Sequence, residues 1–259
     1  MRRILVIGIG AGDPDHVTVQ ATRALNQLDV VFVMDKGRDK QDLVGLRKLL
    51  CERYIQRPYR VVELADPVRD PAITDYQTRV ERWHEERVAL YESTITRELG
   101  ESECAGILAW GDPSLYDSTL RLLEKLRERA AFPFEYTVIP GITSLSALTA
   151  SHSIPLNRIG GSVLITTGRK LSEHGMPAGC DDVVVMLDGE HAFQKIPADG
   201  IEIYWGAYLG TQDEILLSGK LSDIAEDIAK ARTSARASHG WIMDIYLLRR
   251  SARTRGLDS

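Results

Sequence analysis

Cysteine is scarce in this chain of 259 residues, which has only three. Cys51, Cys104 and Cys180 form no Cys-x-x-Cys pair, so their spacing gives neither a zinc knuckle nor a disulfide framework. The histidines show no ligand spacing either, and we predict no metal site. A sparse, odd number of cysteines is typical of a reducing compartment, and we expect a cytoplasmic protein.

Long hydrophobic runs and an excess of positive charge are also missing. The apolar run after Met1-Arg2-Arg3 is broken by Gly8 and Gly10, so it is too short for a signal peptide, and no later segment approaches a membrane span. The formal net charge of −5 argues against a nucleic-acid binder, because such proteins cluster Lys and Arg against phosphates. We therefore expect no membrane and no nucleic-acid partner, and we interpret the basic tail at 251–259 as a solvated end.

The composition that remains is that of a globular enzyme, with 44% hydrophobic and 27% charged residues. In the first half, short runs of Val, Ile and Leu alternate with longer helical patterns, which predicts a mainly parallel α/β sheet with helices on both faces. The predicted strands are 3–9, 29–34, 59–64 and 105–110, and the predicted helices are 17–27, 41–53, 74–99 and 118–130.

In the second half, predicted strands outnumber helices. Two of them, around Gly210 and Gly219, are close enough to pair antiparallel, so we predict a mixed sheet. The predicted strands are 162–166, 182–187, 201–205, 214–218 and 241–248. We place an N-terminal domain at 1–133, a C-terminal domain at 134–250 and the tail at 251–259, and we expect a small-molecule site in the cleft between the two domains.

The stretch from Gly8 to Thr18, GIGAGDPDHVT, raises the possibility of dinucleotide binding, because it follows the apolar run Ile4-Leu5-Val6-Ile7. The Rossmann turn requires Gly-x-Gly-x-x-Gly, but the third glycine position is Asp13, and Pro14 follows it. Asp35, after the second strand, is the one feature that still fits an NAD-dependent dehydrogenase. That enzyme class remains an alternative.

Two further glycine turns follow predicted strands: WGDPSLY at 110–116 and VIPGITS at 138–144. Taken alone, the first is explained by a turn in which Asp112 or Asp117 caps the helix that begins near Ser118. Two such turns at strand ends can also line one crevice.

In this order, the motifs GxGxGD, GDPxxY, PGIxS and VVML resemble the tetrapyrrole methylase superfamily of S-adenosylmethionine-dependent enzymes, over nearly the whole chain. Longer strings narrow the resemblance to the corrin-synthesis members that methylate C-1 of precorrin-5 and release acetate to give precorrin-6A. These strings are DKG at 35–37, WGDPSLYDST at 110–119, IPLNRIG at 154–160 and YWGAYLG at 204–210.

The resemblance implies two α/β domains with S-adenosylmethionine bound between them, a polycarboxylate tetrapyrrole substrate and a homodimer. The cofactor-binding residues that it implies are Trp110, Gly111, Asp112, Leu115, Thr143, Ser144, Met186, Ala207, Tyr208 and Leu209. For the tetrapyrrole, we predict contacts from Gly10 and Gly12 of the first turn and from the basic residues Lys36, Arg38, Arg158 and Arg169.

Methyl transfer mainly requires the reactants to be held in line, whereas acetate release also requires a general base. Asp35 is our first candidate for that base, Tyr116 is a candidate to orient the substrate or donate to an oxyanion, and His16 is a third candidate. Each has an ordinary alternative, because an Asp that ends a strand is often a cap and a loop His is often exposed.

Two departures from the superfamily keep other readings open. Ala11 replaces the proline that most members carry in the first turn, and the acid-base lysine of the uroporphyrinogen methylases is missing near Val61-Val62-Glu63. The alternatives are a methyltransferase for another precorrin carbon, an enzyme similar to diphthine synthase or ribosomal-RNA methylases, and a non-catalytic tetrapyrrole-binding homologue.

Overall fold

The computed structural model describes residues 1–35, 41–70 and 72–251, without the side chains of residues 35, 41–44 and 76. The chain divides into two compact units, Met1–Thr143 and Ser144–Ser259. Each unit contains one five-stranded sheet. No helix in these described ranges is long and apolar enough to cross a membrane.

The first unit has the predicted parallel sheet. Its strands are β1 (Arg2–Gly8), β2 (Val30–Asp35), β3 (Arg60–Ala65), β4 (Cys104–Ala109) and β5 (Phe134–Ile139). Its helices are α1 (Val19–Leu25), α2 (Gln41–Tyr54), α3 (Tyr76–Glu98) and α4 (Thr119–Arg129), with a 3₁₀ turn at Pro14–His16. The strand order is β3-β2-β4-β1-β5, and every pairing is parallel.

Alternate residues of β1 serve two separate cores. Ile4 and Val6 pack with α3 and α4, whereas Leu5 and Ile7 pack with α1 and α2 on the opposite face. This is why the strand is apolar at every position and not only at every second one. The sheet is covered on both faces, as predicted.

The second unit has a mixed sheet in the order β6-β7-β10-β8-β9. Its strands are β6 (Val163–Thr167), β7 (Asp182–Met186), β8 (Ile201–Ala207), β9 (Ile215–Lys220) and β10 (Asp244–Arg250), and its helices are α5 (Ser144–Ser151), α6 (Gly168–His174) and α7 (Leu221–His239). Only β6 and β7 pair in parallel. The antiparallel pairing of β8 with β9 confirms the pair predicted around Gly210 and Gly219.

The division between the units lies ten residues after the boundary predicted at 133/134. The reason is β5, which pairs with β1 in parallel from Arg2↔Phe134 to Ile7↔Ile139 and is therefore an edge strand of the first sheet. The segment Phe132-Pro133-Phe134 leads into that strand and is not a linker between domains.

Candidate active site

Three glycine turns meet where β1, β4 and β5 end, because parallel strands bring their carboxyl ends to one edge of a sheet. Gly10 and Gly111 exchange backbone hydrogen bonds, with N···O distances of 2.8 and 3.3 Å. A Cβ added to Gly8 would lie 2.6 Å from the nitrogen of Gly141, and one added to Gly141 would fall on the carbonyl oxygen of Gly111. These glycines therefore allow the turns to pack against one another.

The carboxylate of Asp112 joins two of these turns. One oxygen accepts hydrogen bonds from the backbone nitrogen of Ser114, at 2.8 Å, and from the Ser114 hydroxyl. The other accepts from the backbone nitrogen of Gly141, also at 2.8 Å. Burial opposes ionisation of Asp112, but these hydrogen bonds outweigh it and hold its pKa below the ordinary value.

Of the two aspartates considered as helix caps, only Asp117 bonds to α4, although the N-cap position itself is Ser118. The Asp117 carboxylate accepts from the nitrogen of Thr119, the first residue of α4, at 2.7 Å. Asp112 bonds across to the β5 turn instead. The sequence could not distinguish the two aspartates, because a cap and a bridge between turns use the same residue type.

The first turn departs from the dinucleotide pattern as predicted. Asp13 accepts a hydrogen bond from the nitrogen of Asp15 and begins the 3₁₀ turn, and Thr18 then caps α1 by accepting from Ala21. The helix therefore begins eleven residues after the end of β1 at Gly8. It does not present its amino end directly at the glycines, where a pyrophosphate would need it.

Tyr116 and His16 have unusual surroundings. Tyr116 has a φ of 52°, in the left-handed region, and its residue is 46% exposed. Partial burial raises the pKa of its phenol, so the group is a neutral donor near pH 7. His16 is half-buried against Gly10, and its Nδ1 is buried without a hydrogen-bond partner among the described residues. The loop histidine is thus not simply exposed.

The remaining acid-base candidate, Asp35, can be placed by its backbone. Asp35 is the last residue of β2 and pairs in register with Ala65 of β3, so its backbone lies at the same sheet edge as the glycine turns. The predicted substrate contacts Lys36 and Arg38 lie outside the described residues.

A buried ion pair that the sequence did not reveal supports the end of the sheet that carries the glycine turns. Both guanidinium nitrogens of Arg87 that face Asp66 lie 2.7 Å from its carboxylate, and a third bonds Ser118 at 3.2 Å. Burial raises the pKa of the neighbouring Tyr91 to about 12. The detectable signal was the spacing of Trp83, Arg87 and Tyr91 at four-residue intervals, which places them on one face of α3.

In the second unit, the turn after β7 exposes apolar surface beside a buried acid. Leu187 follows Met186 with a φ of 53° and is 65% exposed. Asp188 is buried and accepts from the nitrogens of Glu190 and Ala192, at 2.9 and 2.7 Å, and from the Tyr246 hydroxyl at 2.7 Å. These bonds fix the left-handed turn and leave Leu187 uncovered within its unit.

The segment Ala207-Tyr208-Leu209, which begins at the last residue of β8, is buried. Tyr208 has a φ of 50°, and its hydroxyl donates to the carbonyl oxygen of Trp241 at 2.6 Å. Any ligand contact from this segment would therefore be made largely by its backbone. Thr143 and Ser144 lie at the start of α5 and are half-buried.

Arg158 and Arg169 are the two residues of the second unit that we predicted to bind substrate carboxylates, and both already contact other residues of the chain. The Arg158 guanidinium donates to the carbonyl oxygen of Arg250. Arg169 is exposed and lies 3.8 Å from Glu173, one helical turn later in α6. The described residues contain no cluster of three or more His, Cys, Asp or Glu side chains that could hold a metal ion.

Comparison with known proteins connects this geometry to one family. The sequence profile of the Tetrapyrrole (Corrin/Porphyrin) Methylases matches residues 3–225. The family consists of S-adenosylmethionine-dependent methyltransferases. A precorrin-6A synthase [deacetylating] from Sinorhizobium sp. is 51% identical over 253 residues, which is 97% of each chain.

Solved structures agree on the fold. A cobalamin synthesis related protein (CobF) from Corynebacterium diphtheriae superimposes with a TM-score of 0.81 at 39% identity, over 96% of this chain and 99% of that one. Uroporphyrin-III C-methyl transferase from Thermus thermophilus, complexed with S-adenosyl homocysteine, has a TM-score of 0.57 at 17% identity, over 95% and 91% of the two chains, and supports the fold alone. From the profile match and the high identity to a full-length relative, the chain belongs to the family of tetrapyrrole (corrin/porphyrin) methylases.

Proposed function

We propose that the chain is the S-adenosylmethionine-dependent C-1 methyltransferase of cobalamin biosynthesis that converts precorrin-5 to precorrin-6A with release of acetate. The observation that carries this proposal is the 51% identity to a precorrin-6A synthase [deacetylating] over 97% of both chains. The other precorrin methyltransferases named among the relatives match less well; one of them, a precorrin-2 C(20)-methyltransferase, is 29% identical over 60% of this chain.

The charge of the glycine turns supports a cationic cofactor. Residues 8–17 and 110–118 contain four aspartates, Asp13, Asp15, Asp112 and Asp117, and no Lys or Arg. Asp15 is paired with Arg53 of α2, and the remaining acidic side chains would repel a pyrophosphate but not the sulfonium and ammonium groups of S-adenosylmethionine. The same turns place the ionised Asp112 beside backbone groups that a ligand can approach.

The predicted cofactor residues are chemically suited to S-adenosylmethionine. Trp110, Leu115 and Met186 are half-buried apolar side chains, and Leu187 adds exposed apolar surface next to Met186. Apolar walls with a few backbone hydrogen-bonding groups are what an adenosine requires. We propose that these residues bind the cofactor together with Gly111, Asp112, Thr143, Ser144, Ala207, Tyr208 and Leu209.

When bound, the cofactor supplies an electrophilic methyl group, and the chain's own residues hold the ring carbon in line with it and exclude water. For acetate release, a water must lose a proton as it attacks the acyl carbon. The carbon–carbon bond to the ring then breaks, and its electron pair passes to the tetrapyrrole. We assign the base to Asp35, with His16 as the second candidate, and the donor to the forming oxyanion to the neutral phenol of Tyr116.

For the substrate, we keep Gly10, Gly12, Lys36, Arg38, Arg158 and Arg169 as proposed contacts and a homodimer as the proposed assembly. The local partners of Arg158 and Arg169 mean that these two would have to exchange a hydrogen bond or ion pair for a substrate carboxylate. A guanidinium has several N–H donors, so only the donor in the present contact has to change its partner.

The decisive experiment is incubation of the purified protein with precorrin-5 and S-adenosylmethionine, with methyl transfer and acetate measured together. Equal amounts of both products are expected. Methylation without acetate would refute the deacetylating step, methylation of a different precorrin would identify another enzyme of the family, and neither product would favour a non-catalytic homologue. Asp35→Asn should abolish acetate release, whereas Asp70→Asn, in the loop after β3, should leave it unchanged.

The cofactor assignment has its own test, which does not depend on turnover. S-adenosylhomocysteine should raise the melting temperature, and NAD should not. Stabilisation by NAD alone would restore the dehydrogenase alternative.

A further inference from the structure

Two arginines contact one tryptophan beside the candidate active site. The guanidinium carbons of Arg69 and Arg87 lie 4.2 and 3.9 Å from the ring centroid of Trp83, which is within cation–π distance. The Trp83 ring nitrogen donates to the carbonyl oxygen of Pro67 at 2.8 Å, which fixes the ring against the segment after β3. Trp83 therefore holds both cations at the start of α3.

The two cations differ in how their charge is balanced. The side chain of Arg87 is 7% exposed and is neutralised by Asp66. Arg69 is exposed, and within the described ranges no carboxylate forms an ion pair with it. Its neighbour Asp70 uses its carboxylate to accept from the backbone nitrogen of Ala72. The contact with Trp83 thus orients an arginine that has no acidic partner among the described side chains.

A second arginine of the same kind lies on α4. Arg121 is in the first turn of that helix, is exposed, and likewise has no ion pair among the residues that the structure describes. Arg121 lies three residues after Ser118, whose hydroxyl accepts a hydrogen bond from Arg87 at 3.2 Å, so it lies in the same neighbourhood. Burial and then the cations of this neighbourhood lower the pKa of His84.

Two carboxylates of the α3 region, Glu85 and Asp75, already have partners. Glu85 pairs with Lys125 at 2.7 Å and with Arg129 at 3.4 Å, and Asp75 caps α3 through the nitrogen of Thr78. Arg69 and Arg121 therefore form a positively charged patch, which we call the Arg69–Arg121 patch.

The patch lies at the sheet edge that carries the candidate active site. Arg69 is in the loop that follows β3, and Arg121 is at the beginning of the helix that follows β4. Arg87 of α3 links these two connections, because it donates both to Asp66 after β3 and to Ser118 before α4. The ends of β2 and β4, with Asp35 and Gly111, are thus next to the patch in the strand order.

We propose that Arg69 and Arg121 bind carboxylate side arms of the tetrapyrrole substrate, a proposal that rests on the proposed function for the identity of that substrate. Guanidinium groups match carboxylates through paired N–H donors. Because Trp83 already restricts Arg69, less side-chain entropy is lost when a carboxylate binds. The patch supplies the cationic contacts that the turns themselves lack.

The test uses uroporphyrin III, a stable tetrapyrrole octacarboxylate, in a fluorescence titration. Arg69→Gln and Arg121→Gln should each weaken binding by roughly threefold to tenfold, and Arg69→Lys should lose less than Arg69→Gln. The matched control is Arg127→Gln, which removes an exposed arginine near the other end of α4 and should leave the affinity unchanged. Binding of S-adenosylhomocysteine should be the same in all four variants, which shows that each is folded.

In turnover with precorrin-5, the two glutamine variants should raise KM and leave kcat nearly unchanged, because the patch holds side arms and not the reacting carbon. If uroporphyrin binding and KM match those of Arg127→Gln in both variants, the inference is wrong even though the enzyme is active. If the protein yields neither methyl transfer nor acetate but the glutamine variants still lose uroporphyrin affinity, the proposed function fails and the anionic tetrapyrrole site stands.

Discussion

Replacing Asp112 with asparagine should uncouple the β4 turn from the β5 turn. An asparagine side chain keeps one acceptor oxygen, which can serve Ser114, but it turns an NH₂ group towards the backbone N–H of Gly141. One hydrogen bond to a charged group is lost and a partly buried donor is left unpaired. A loss of this kind costs about 2 kcal/mol, or about 4 to 8 °C in Tm for a protein of this size.

The pH dependence of that loss has a definite sign. Hydrogen bonds hold the pKa of Asp112 below its ordinary value in the folded protein, against the effect of burial. Its carboxylate therefore contributes stability fully above the unfolded pKa, near ~3.9, and that contribution disappears as the pH falls through the folded pKa. The stability difference between wild type and Asp112→Asn should be constant near neutral pH and shrink below about pH 4.

Urea unfolding at several pH values measures this difference, and amide hydrogen exchange locates it. The amide of Gly141 should exchange faster in Asp112→Asn than in wild type. Asp13→Asn is the matched control. The Asp13 carboxylate accepts the same local hydrogen bond, from the residue two positions later, but among the described residues it bonds to no other turn. Equal losses from the two substitutions, or a difference that does not shrink below about pH 4, would refute the proposed bridge.

Three further predictions test the packing of the protein. Gly141→Ala should destabilise the protein by about 3 kcal/mol or more, because the new Cβ would meet the backbone of Gly111 and Gly8. Gly45→Ala should instead stabilise α2 by about 0.5–1 kcal/mol, because a Cβ there has no neighbour within 4 Å. Equal stabilities of the two variants in calorimetry would contradict the close packing of Gly141. Tyr246→Phe should cost about 1 kcal/mol by removing a donor to Asp188, and an unchanged urea midpoint would argue against that bond. With a thiol reagent at pH 8, only Cys180 should react quickly in the native protein, since the other two thiols are buried and burial raises their pKa; a second fast thiol would disprove it.

The elements that could be predicted from sequence were those with an unambiguous apolar pattern. β4, which is buried at every position, reads as a central strand from its composition alone. The helix α7 was missed because its four buried positions, Leu221, Ile228, Arg232 and Ala235, include only two large apolar side chains. Such a narrow apolar stripe is difficult to separate from a loop without knowing the surface against which it packs.

The glycine turns of the candidate site could be predicted from the sequence, but the contacts that hold them in place could not. Glycine at a strand end indicates a tight turn, but it does not reveal that the neighbour is another turn, as Gly141 is for Gly8. The pair of Arg87 with Asp66 joins residues 21 positions apart in different elements, so no local pattern contains it. Polar contacts between residues far apart in the sequence form only when the helices pack together, and that packing depends on many residues at once.

The interlocked glycine turns also bear on how the chain is made. Their contacts join the end of β1, which is synthesised first, to the end of β5, which follows more than a hundred residues later. A nascent chain that has not yet reached Gly141 lacks both the third turn and the backbone donor for Asp112. During translation this part of the sheet therefore stays incomplete until almost all of the first unit has left the ribosome. A truncation before β5 should leave β1, which is paired only with β4, as an exposed edge strand.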